Sequence, residues 1–382
     1  SWEKQQKKFM DWTSNHKCYH KRKWREERMR KNWKKVVSAV LSAALIFSLS
    51  ACGSSGDSKD SDKKSSKKDG YVVALCNSSL ANTWRVQMQE EWEQEAKKLK
   101  EEGTVSDYII TNADGDITQQ ISDMEDLITK KVDLICISAA SPTALAPVVE
   151  EAMDEGITVC VFDNDVDTDN CSMKLTLNNV EFAEACAEYV CETLGGKGKV
   201  IVLQGTSGTA VGDDRETGLQ NVLKKYPDIE VIAEEWCDFD YAKAKSSMES
   251  LLSANSEIDG VISLGGAMTL AAIDAYEAAG RPLVPMSGEG QNGFLKVWAN
   301  KMSEGFETVA PVSPTCTGSE SLRQGIKILN GEKVEFEQYI DMPIVTKDNL
   351  SEYLREDLSD NYWPPCELPE EQLQKLYGEN AQ

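Results

Sequence analysis

From Tyr71 onward the chain alternates short apolar segments with helix-length amphipathic segments, and this alternation limits the possible folds more than any other feature. The apolar segments are YVVALC (71–76), DYIITN (107–112), VDLICIS (132–138), ITVCVFD (157–163), KVIVLQG (199–205), IEVIAEE (229–235), DGVISLGG (259–266) and LVPMSGE (283–289). Between them apolar residues recur every three or four positions, as in Trp84, Met88 and Trp92, which predicts helices. Strands that are apolar throughout are typical of parallel sheets covered by helices on both faces. The sequence therefore predicts an α/β fold.

The length of this region predicts two lobes. The 312 residues from Tyr71 to Gln382 exceed what one hydrophobic core usually holds. The number of apolar segments is also about twice that of a single doubly wound sheet. We therefore expect two α/β lobes, each built on a parallel sheet.

The segment 29–51 has the organisation of a signal peptide. The run VVSAVLSAALIFSL (36–49) is apolar, follows four basic residues, and is shorter than the ~20 residues that a membrane-spanning helix needs. Its end, LSAC (49–52), resembles the lipobox of bacterial lipoproteins, in which the cysteine is lipidated and becomes the mature amino terminus. We expect Cys52 to be lipidated; a transmembrane anchor or an ordinary signal peptide is the alternative.

The residues on either side of the signal peptide have different predicted roles. Residues 1–28 are basic and contain tryptophan, and they fit no part of a signal peptide. We interpret Met29 as the true start and 1–28 as an upstream extension from a misplaced start; a genuine cytoplasmic extension is the alternative. Residues 52–70 contain almost no apolar side chain, so they predict a flexible tether.

Charge and composition exclude several functions for the region after the signal. Residues 1–51 carry 13 Lys and Arg against 4 Asp and Glu, so of the chain's net charge of −23 the region from Cys52 onward carries −32. Such an acidic body repels nucleic acids and anionic lipid surfaces. Both histidines, His16 and His20, precede Cys52, so histidine-based catalysis and histidine metal ligands are excluded there.

Nine cysteines follow Cys52, and several lie inside apolar segments, such as Cys76, Cys136 and Cys160. An exported protein would usually form disulfides. Placement within strands and the absence of close CxxC pairs instead favour mostly reduced thiols that pack as small apolar side chains. One disulfide remains open as an alternative.

The residues just after each predicted strand are candidates for a binding site, because ligands of open α/β sheets bind beyond the carboxyl ends of the strands. These positions are polar, aromatic or glycine, in the segments NSSLANTWR (77–85), AASP (139–142), DNDVD (163–167), GTSGTAVGDDR (205–215), WCDFD (236–240), GGAM (265–268) and GEGQNG (288–293). They contain no pairing of a nucleophile with a base. Hydrogen-bonding groups beside aromatic rings are suited to a polyhydroxylated ligand.

Two of these segments match other motifs only in part. GEGQNG has the spacing of a dinucleotide-binding loop, but the next strand, FETVAPVSP (306–314), ends without the acidic residue that would bind a ribose. DNDVDTDN (163–170) has alternate acids like a calcium loop, but Thr168 and Lys174 occupy the positions that need glycine and an acid. We expect neither a metal nor a cofactor.

The order of the elements, with VDLICISAASPTAL, LNNVEFAEACAEYV and IDGVISLGGAMTLAAIDAYEAAG, resembles the type I periplasmic binding proteins, in the ribose-binding-like branch that serves ABC sugar importers. The resemblance covers about 71–342, and the tail NYWPPCELPEEQLQKLYG resembles a sub-branch of lipid-anchored sugar-binding proteins. It implies two Rossmann-like lobes joined by three hinge crossovers. Lobe one would contain 71–177 and 314–342, and lobe two 178–313 and 343–382.

The resemblance also implies a function. A monomer outside the membrane would close its cleft on a sugar and deliver it to an ABC permease, without catalysis, cofactor or nucleic acid. The ligand-binding positions that it implies are Asn82, Trp84, Arg85, Asp163, Asn164, Arg215, Phe239, Gly265 and Glu289. Many members have Arg where this chain has Asn164, and Asn-Asp where it has Gly265 and Gly266. These differences remove hydrogen-bonding groups and suggest more space, so a larger sugar or a polyol is as well suited as a pentose.

Structural alternatives remain for single residues, and other functions remain for the chain. Trp84 could belong to the core, Arg215 to a surface ion pair and Asp163 to a cap, while Trp236 could replace Phe239 as the stacking ring. A ligand sensor for a membrane receptor would have the same body. An extracytoplasmic carbohydrate-active enzyme would need two opposed carboxylates, for which Asp163 and Glu289 are candidates.

Overall fold

The computed structural model describes residues 70–378; the expected signal peptide, Cys52 and the tether up to residue 69 lie outside the described residues. The strands are β1 (Tyr71–Asn77), β2 (Val105–Asn112), β3 (Leu134–Ser138), β4 (Thr158–Phe162), β5 (Met173–Thr176), β6 (Lys197–Gln204), β7 (Asp228–Trp236), β8 (Gly260–Ser263), β9 (Ala310–Pro311), β10 (Glu337–Tyr339) and β11 (Ile344–Val345). The helices are α1 (Thr83–Glu101), α2 (Ile117–Thr129), α3 (Pro142–Asp154), α4 (Asn179–Thr193), α5 (Ala210–Leu223), α6 (Tyr241–Ala254), α7 (Gly266–Ala278), α8 (Asn292–Lys301), α9 (Thr317–Leu329), α10 (Leu350–Tyr353) and α11 (Glu370–Tyr377).

Lobe one is built on a six-stranded parallel sheet in the order β10-β5-β4-β3-β1-β2. Successive residues of a strand point to opposite faces. In β1, Val73 and Leu75 pack against α1 and α9, whereas Ala74 and Cys76 pack against α2 and α3. All four side chains are fully buried, which explains why the strand is apolar throughout.

Lobe two is built on a three-stranded parallel sheet in the order β7-β6-β8, extended by a bridge between Val261 and Met286. Helices α6, α7 and α8 cover one face, where Trp298 and Tyr276 are fully buried. Helices α4 and α5 pack against each other, and α4 also contacts β8. Gly260 of β8 allows this contact, because a Cβ there would lie 2.9 Å from Val190 Cγ1.

The chain passes between the two lobes three times: between β5 and α4, between β9 and α9, and between β10 and β11. Strands β9 and β11 pair antiparallel beside the second sheet, with Ala310 and Val345 in the core of lobe two. The predicted fold class, two α/β lobes with parallel sheets, is confirmed.

Some strands differ from the sequence prediction. The segment 283–289 makes only the bridge at Met286, because Pro285 has no N–H to continue a ladder. In the segment 306–314 only Ala310–Pro311 forms a strand. Conversely, β5 and β10 pair with each other at one edge of the first sheet, although neither was among the predicted strands.

The carboxyl-terminal tail contacts both lobes, whereas the sequence placed all of 343–382 in lobe two. On the lobe-two side, the buried Asn292 amide donates to three carbonyls of the tail, including Leu358 O at 3.1 Å. On the lobe-one side, Gln87 of α1 donates to Trp363 O at 2.7 Å and accepts from Trp363 N at 2.9 Å. One buried amide in each lobe therefore holds the backbone of the tail.

No helix within residues 70–378 is both long enough and apolar enough to cross a membrane.

Candidate functional site

Most helices that follow a strand begin with a capping side chain at the carboxyl edge of a sheet. The cap residues whose side chains accept a hydrogen bond from the first turn are Asn82, Asp116, Ser141, Asn178, Thr209 and Asp240. Such caps satisfy helix N–H groups that have no partner within the helix. Asn82 Oδ1 accepts from Arg85 N at 3.0 Å, so this predicted ligand-binding residue fixes the start of α1.

Arg85 is the centre of the polar cluster in lobe one. Its guanidinium pairs with Asp163 at 2.8 Å and donates to Ser138 Oγ at 3.0 Å and to Asn77 Oδ1 at 3.4 Å. Asp163 Oδ2 also accepts from Ser138 Oγ and from Asn164 Nδ2, each at 3.1 Å. These residues come from the ends of β1, β3 and β4 and from the first turn of α1, so three adjacent strands position one charged pair.

Asp163 has an unusual backbone that aims its side chain into this cluster. Its φ is 56°, in the left-handed region that non-glycine residues rarely adopt. The conformation is fixed on both sides, because Asp163 N donates to Leu175 O at 2.9 Å and Thr176 Oγ1 donates to Asp163 O at 3.1 Å. Such strain persists only where the surrounding structure holds it, and it is common at functional sites.

Arg215 is the centre of the polar cluster in lobe two. Its Nη2 lies 3.2 Å from Glu289 and 3.1 Å from Ser313 Oγ, and its Nε donates to Asn179 Oδ1 at 3.0 Å. The third nitrogen, Nη1, donates to Leu264 O. Ser313 Oγ in turn donates to Glu289 at 2.6 Å. Every nitrogen of this guanidinium therefore has a protein acceptor.

Two aromatic rings border Arg215. Its guanidinium carbon lies 3.7 Å from the centre of the Phe182 ring and 5.2 Å from that of Phe239. Phe239 has a φ of 55° and packs over two glycines. A Cβ at Gly205 would lie 1.9 Å from the ring, and one at Gly265 would lie 3.1 Å from it. Gly265 thus makes room for a ring of the protein itself.

Two hydrogen bonds join the lobes at the edges of the cleft. Asn164 Oδ1, from lobe one, accepts from Val211 N in the first turn of α5 at 3.2 Å. The Trp84 indole of lobe one donates to Ser313 O, just after β9, at 2.8 Å. Trp84 is therefore fixed at its polar end by the hinge, while its ring packs partly against the core of lobe one.

The mouth of the cleft is acidic. Asp165 in lobe one forms an ion pair with Lys174 at 2.9 Å, and Asp213 and Asp214 lie in the first two turns of α5. Desolvation by neighbouring protein atoms and, to a smaller extent, the charges of Asp165 and Asp213 together raise the pKa of Asp214 to about 6. The Asp214 side chain is nevertheless exposed to solvent, so screening reduces the energetic effect of this shift.

The predicted residues thus form two groups, Arg85, Asp163 and Asn164 in lobe one and Arg215, Phe239, Gly265 and Glu289 in lobe two. Four further residues complete these groups and were not predicted individually from the sequence: Asn77, Ser138, Asn179 and Ser313. Asn77 and Ser138 are each the last residue of an otherwise apolar strand, a position that could have identified them. Asn179 and Ser313 have no comparable signal.

Comparison with known proteins is consistent with this two-lobed arrangement. Residues 73–333 match the family model of the periplasmic binding protein domain. The ribose import binding protein of Bacillus subtilis is 29% identical over 303 residues, which cover 79% of this chain and 95% of that protein. The xylitol-binding protein of Mycolicibacterium smegmatis is 27% identical over 319 residues, which cover 83% of this chain and 86% of that protein.

Among solved structures, an ABC transporter solute binding protein from Bacillus halodurans with bound myo-inositol matches with a TM-score of 0.68 and 25% identity, covering 75% of this chain and 98% of that chain. The family model alone spans well over half of the present sequence. Together with two parallel-sheet lobes, three crossovers and polar clusters at the strand ends, these matches show that the chain belongs to the type I periplasmic binding proteins, in the ribose-binding-like branch.

Proposed function

We propose that the protein captures a sugar or a sugar-like polyol between its two lobes and, as an extracytoplasmic monomer, delivers it to an ABC importer. The main supporting observation is that each lobe presents an arginine–carboxylate pair at the carboxyl ends of its strands, partly buried in lobe one and buried in lobe two. The bond between Asn164 and Val211 brings the two edges together. A ligand between them would contact both lobes and favour closure by a hinge motion.

The chemistry of the two clusters favours a neutral, polyhydroxylated ligand. Carboxylates and guanidinium groups form charge-assisted hydrogen bonds, which are roughly twice as strong as neutral ones. Each positive charge here already has a carboxylate partner, so the clusters offer no uncompensated charge for an ionic ligand. The relatives named above are described with ribose, xylitol and myo-inositol, which are all polyhydroxylated and uncharged.

We assign the ligand-contacting roles as follows. In lobe one, Arg85, Asp163 and Asn164 would hydrogen-bond hydroxyl groups, and the Trp84 ring would pack on an apolar face of the ligand. In lobe two, Phe239 would supply the opposite aromatic surface, and Glu289 and Arg215 would supply the polar contacts. Asn82 and Gly265 would act indirectly, since Asn82 caps α1 and Gly265 makes room for Phe239.

The arrangement around Gly265 bears on the size of the ligand. Replacement of a family Asn-Asp pair by Gly265 and Gly266 suggested extra space, but the Phe239 ring packs against Gly265, and Gln291 Cβ lies 2.7 Å from where a Cβ on Gly266 would be. Protein side chains therefore fill much of this space. We infer that a single ring or a short polyol fits better than an oligosaccharide.

Thermal shift with a panel of solutes tests this proposal. D-ribose, other pentoses and hexoses, xylitol and myo-inositol would be compared with leucine as a solute of similar size without multiple hydroxyls. A true ligand at 100 times its dissociation constant should stabilise the fold by about 2.7 kcal/mol. If no hydroxylated solute raises the melting temperature, the proposal fails. Uptake of the identified ligand by cells with and without this gene would then test delivery to an importer.

The lipid anchor is a separate part of the proposal. Its support is the sequence LSAC (49–52) after an apolar run of signal-peptide length. Cys52→Ala should prevent lipidation, so the protein should no longer reach the membrane fraction as a mature-length lipoprotein. Detergent-phase partitioning of wild type and variant measures this. Equal partitioning at equal mature length would contradict the anchor without affecting the binding proposal.

A further inference from the structure

Three segments that are distant in sequence meet at a cluster outside the polar clusters of the cleft. They are α1, the turn before α9 and the carboxyl-terminal tail, which contribute Glu91, Cys316 and Glu367. The Cys316 Sγ and one carboxylate oxygen from each glutamate all lie within 4.8 Å of one another. Cys366 precedes Glu367 in the tail, and its Sγ accepts a hydrogen bond from Leu368 N at 3.5 Å.

Glu91 is an unusual residue to find at such a depth. It is only 2% exposed, and no Lys or Arg among residues 70–378 forms an ion pair with it. Gln87, Thr315 and Glu367 N donate hydrogen bonds to its two oxygens. Burying a carboxylate without a cation is costly, and it normally requires either protonation or a metal.

The nearest guanidinium does not fill this role. Arg323 of α9 pairs with Glu367 at 2.9 Å, with Glu95 at 3.3 Å and with Glu320 at 2.7 Å. All of its contacts lie on the outer side of the cluster, where Glu367 is about half exposed. Arg323 thus balances Glu367 and leaves Glu91 without a cationic partner.

Cys316 and Cys366 also differ from the other thiols that the structure describes. Seven of the nine cysteines after residue 70 are buried, and these two are the half-buried exceptions. A bound divalent cation would hold Cys316 as a thiolate, because a thiol that coordinates a metal is deprotonated.

We propose that Glu91, Cys316 and Glu367 bind a divalent cation of the Zn²⁺ type and so join helix α1, the hinge exit and the tail. Thiolate and carboxylate donors together suit Zn²⁺ better than Mg²⁺ or Ca²⁺, which prefer oxygen ligands alone. Tetrahedral zinc places such donors about 3.4–3.6 Å apart, so the cluster would contract by roughly 1 Å. The exposed Glu367 provides the route by which the ion enters.

The position of the site indicates how metal binding would affect the carboxyl-terminal tail. Cys316 follows the crossover from β9 and immediately precedes α9, while Cys366 and Glu367 follow the Trp363 backbone that Gln87 holds. A metal there would fasten the tail to lobe one at a point next to a hinge strand. Bound metal should therefore raise the stability of the tail and protect it from proteolysis.

Zinc binding by the full chain, purified without an affinity tag, reduced and stripped with chelator, tests the proposal. Calorimetric titration should show one Zn²⁺ that is lost from Cys316→Ser and weakened at least about tenfold in Glu367→Gln. Co²⁺ should give thiolate-to-metal charge-transfer absorption in wild type and not in Cys316→Ser. Cys191→Ala and Glu370→Gln, a thiol and a carboxylate outside the cluster, should bind like wild type.

The remaining outcomes are equally decisive. Zinc held by His16, His20, Cys18 or Cys52 would persist in Cys316→Ser, so equal binding by wild type and that variant overturns the proposal. A disulfide between Cys316 and Cys366, found by thiol mapping of protein isolated without reductant, also overturns it, because oxidised sulfurs are not thiolate ligands. Glu367→Gln keeps the test valid if Cys316→Ser misfolds, since Glu367 is exposed.

Discussion

The two lobes have the same motif, an arginine paired with a carboxylate at the ends of parallel strands, but they bury it to different extents. In lobe one, the Arg85 and Asp163 side chains are 11% and 16% exposed. In lobe two, the Arg215 and Glu289 side chains are each 5% exposed. The lobe-two guanidinium also stacks on Phe182 and has an acceptor for every nitrogen.

This difference suggests that the two pairs have different roles, one mainly in stability and the other in ligand selectivity. A buried charge with all of its partners in place is expensive to disturb, because removing one partner leaves the other uncompensated. Arg215 is therefore a structural element of lobe two as well as a proposed ligand contact. The more accessible pair of Arg85 and Asp163 can exchange a protein contact for a ligand hydroxyl at lower cost, so we expect it to contribute more to selectivity.

Ser313 connects the lobe-two pair to Trp84 of lobe one. Its hydroxyl accepts from Arg215 and donates to Glu289, while its carbonyl accepts from the Trp84 indole. It lies just after β9, on a crossover between the lobes. A change in the lobe-two cluster would therefore be transmitted to Trp84 through this hinge residue.

The largest expected effect is on stability, from Arg215→Met. This change leaves Glu289 buried with no positive partner and should lower the free energy of unfolding by about 3–5 kcal/mol. Urea denaturation followed by circular dichroism measures it. Arg355→Met is the matched control, since Arg355 pairs with Asp357 and Glu370 at the surface and should cost less than about 1 kcal/mol. Equal losses in both variants would show that burial of the Arg215–Glu289 pair does not make its disruption more costly than that of a surface pair.

The next effect is on affinity, from Asp163→Asn. The amide is nearly isosteric, but it removes the negative charge that accepts from Arg85 and Ser138. Loss of one charged hydrogen-bond partner costs ~1.5–3 kcal/mol, or about 10- to 150-fold in affinity for the best solute of the panel. Calorimetry measures this, and Asp167→Asn, an exposed change in the same loop, should bind within threefold of wild type. Affinity unchanged in Asp163→Asn would exclude the lobe-one cluster as the ligand contact.

Much of the fold could be predicted from the sequence because parallel strands buried on both faces have a simple pattern. Strands β1 to β4 and β6 to β8 all lie within or overlap the predicted segments. Strand β5, with the sequence MKLT, was missed because Lys174 interrupts it; its ammonium group reaches Asp165 and Val166 O. Strand β10, EQY, is a short edge strand without an apolar pattern.

The candidate site was predictable only in part, for a related reason. The resemblance to the family implied Arg85, Asp163 and Arg215, and all three lie in polar segments that follow predicted strands. Asn179 and Ser313 become important only through distances to Arg215 that depend on how strands and crossovers fold together. The link between the tail and Gln87 likewise joins residues 276 positions apart, which no local pattern encodes.

A smaller effect is expected from Gly265→Ala, which tests the aromatic wall of lobe two. The added Cβ would lie 2.7 Å from Met268 Cε and 3.1 Å from the Phe239 ring. Since the methionine end is flexible, we expect a loss of about 1 kcal/mol, at the low end for overpacking, and a weaker ligand affinity from displacement of the ring. Phe239→Leu should relieve part of the loss. Additive effects in this double-mutant cycle would show that glycine and ring are not coupled.

The smallest effect concerns the mouth of the cleft, where Asp214 of lobe two lies near Asp165 of lobe one. The folded protein raises the pKa of Asp214 from 3.8 to about 6, chiefly by burial, so folding favours its protonated form. The stabilisation that the protonated Asp214 carboxyl gives the folded state is fully present below about pH 4. It is lost as the pH rises through about 6. Asp214→Asn should therefore become more stable than wild type over this range, by less than about 1 kcal/mol because solvent screens the exposed carboxylate.

Urea denaturation of wild type and Asp214→Asn from pH 4 to pH 7 measures the difference between their free energies of unfolding. Because the other carboxylates titrate in both proteins, their effect cancels in this difference. Asp228→Asn, an exposed change at the start of β7, should show no such trend. Lys174 pairs with Asp165 at 2.9 Å and so already offsets part of the repulsion across the mouth. If the free energies of unfolding of wild type and Asp214→Asn differ by the same amount at every pH, the two lobes do not repel each other through these carboxylates. The two lobes then differ only in their arginine–carboxylate pairs.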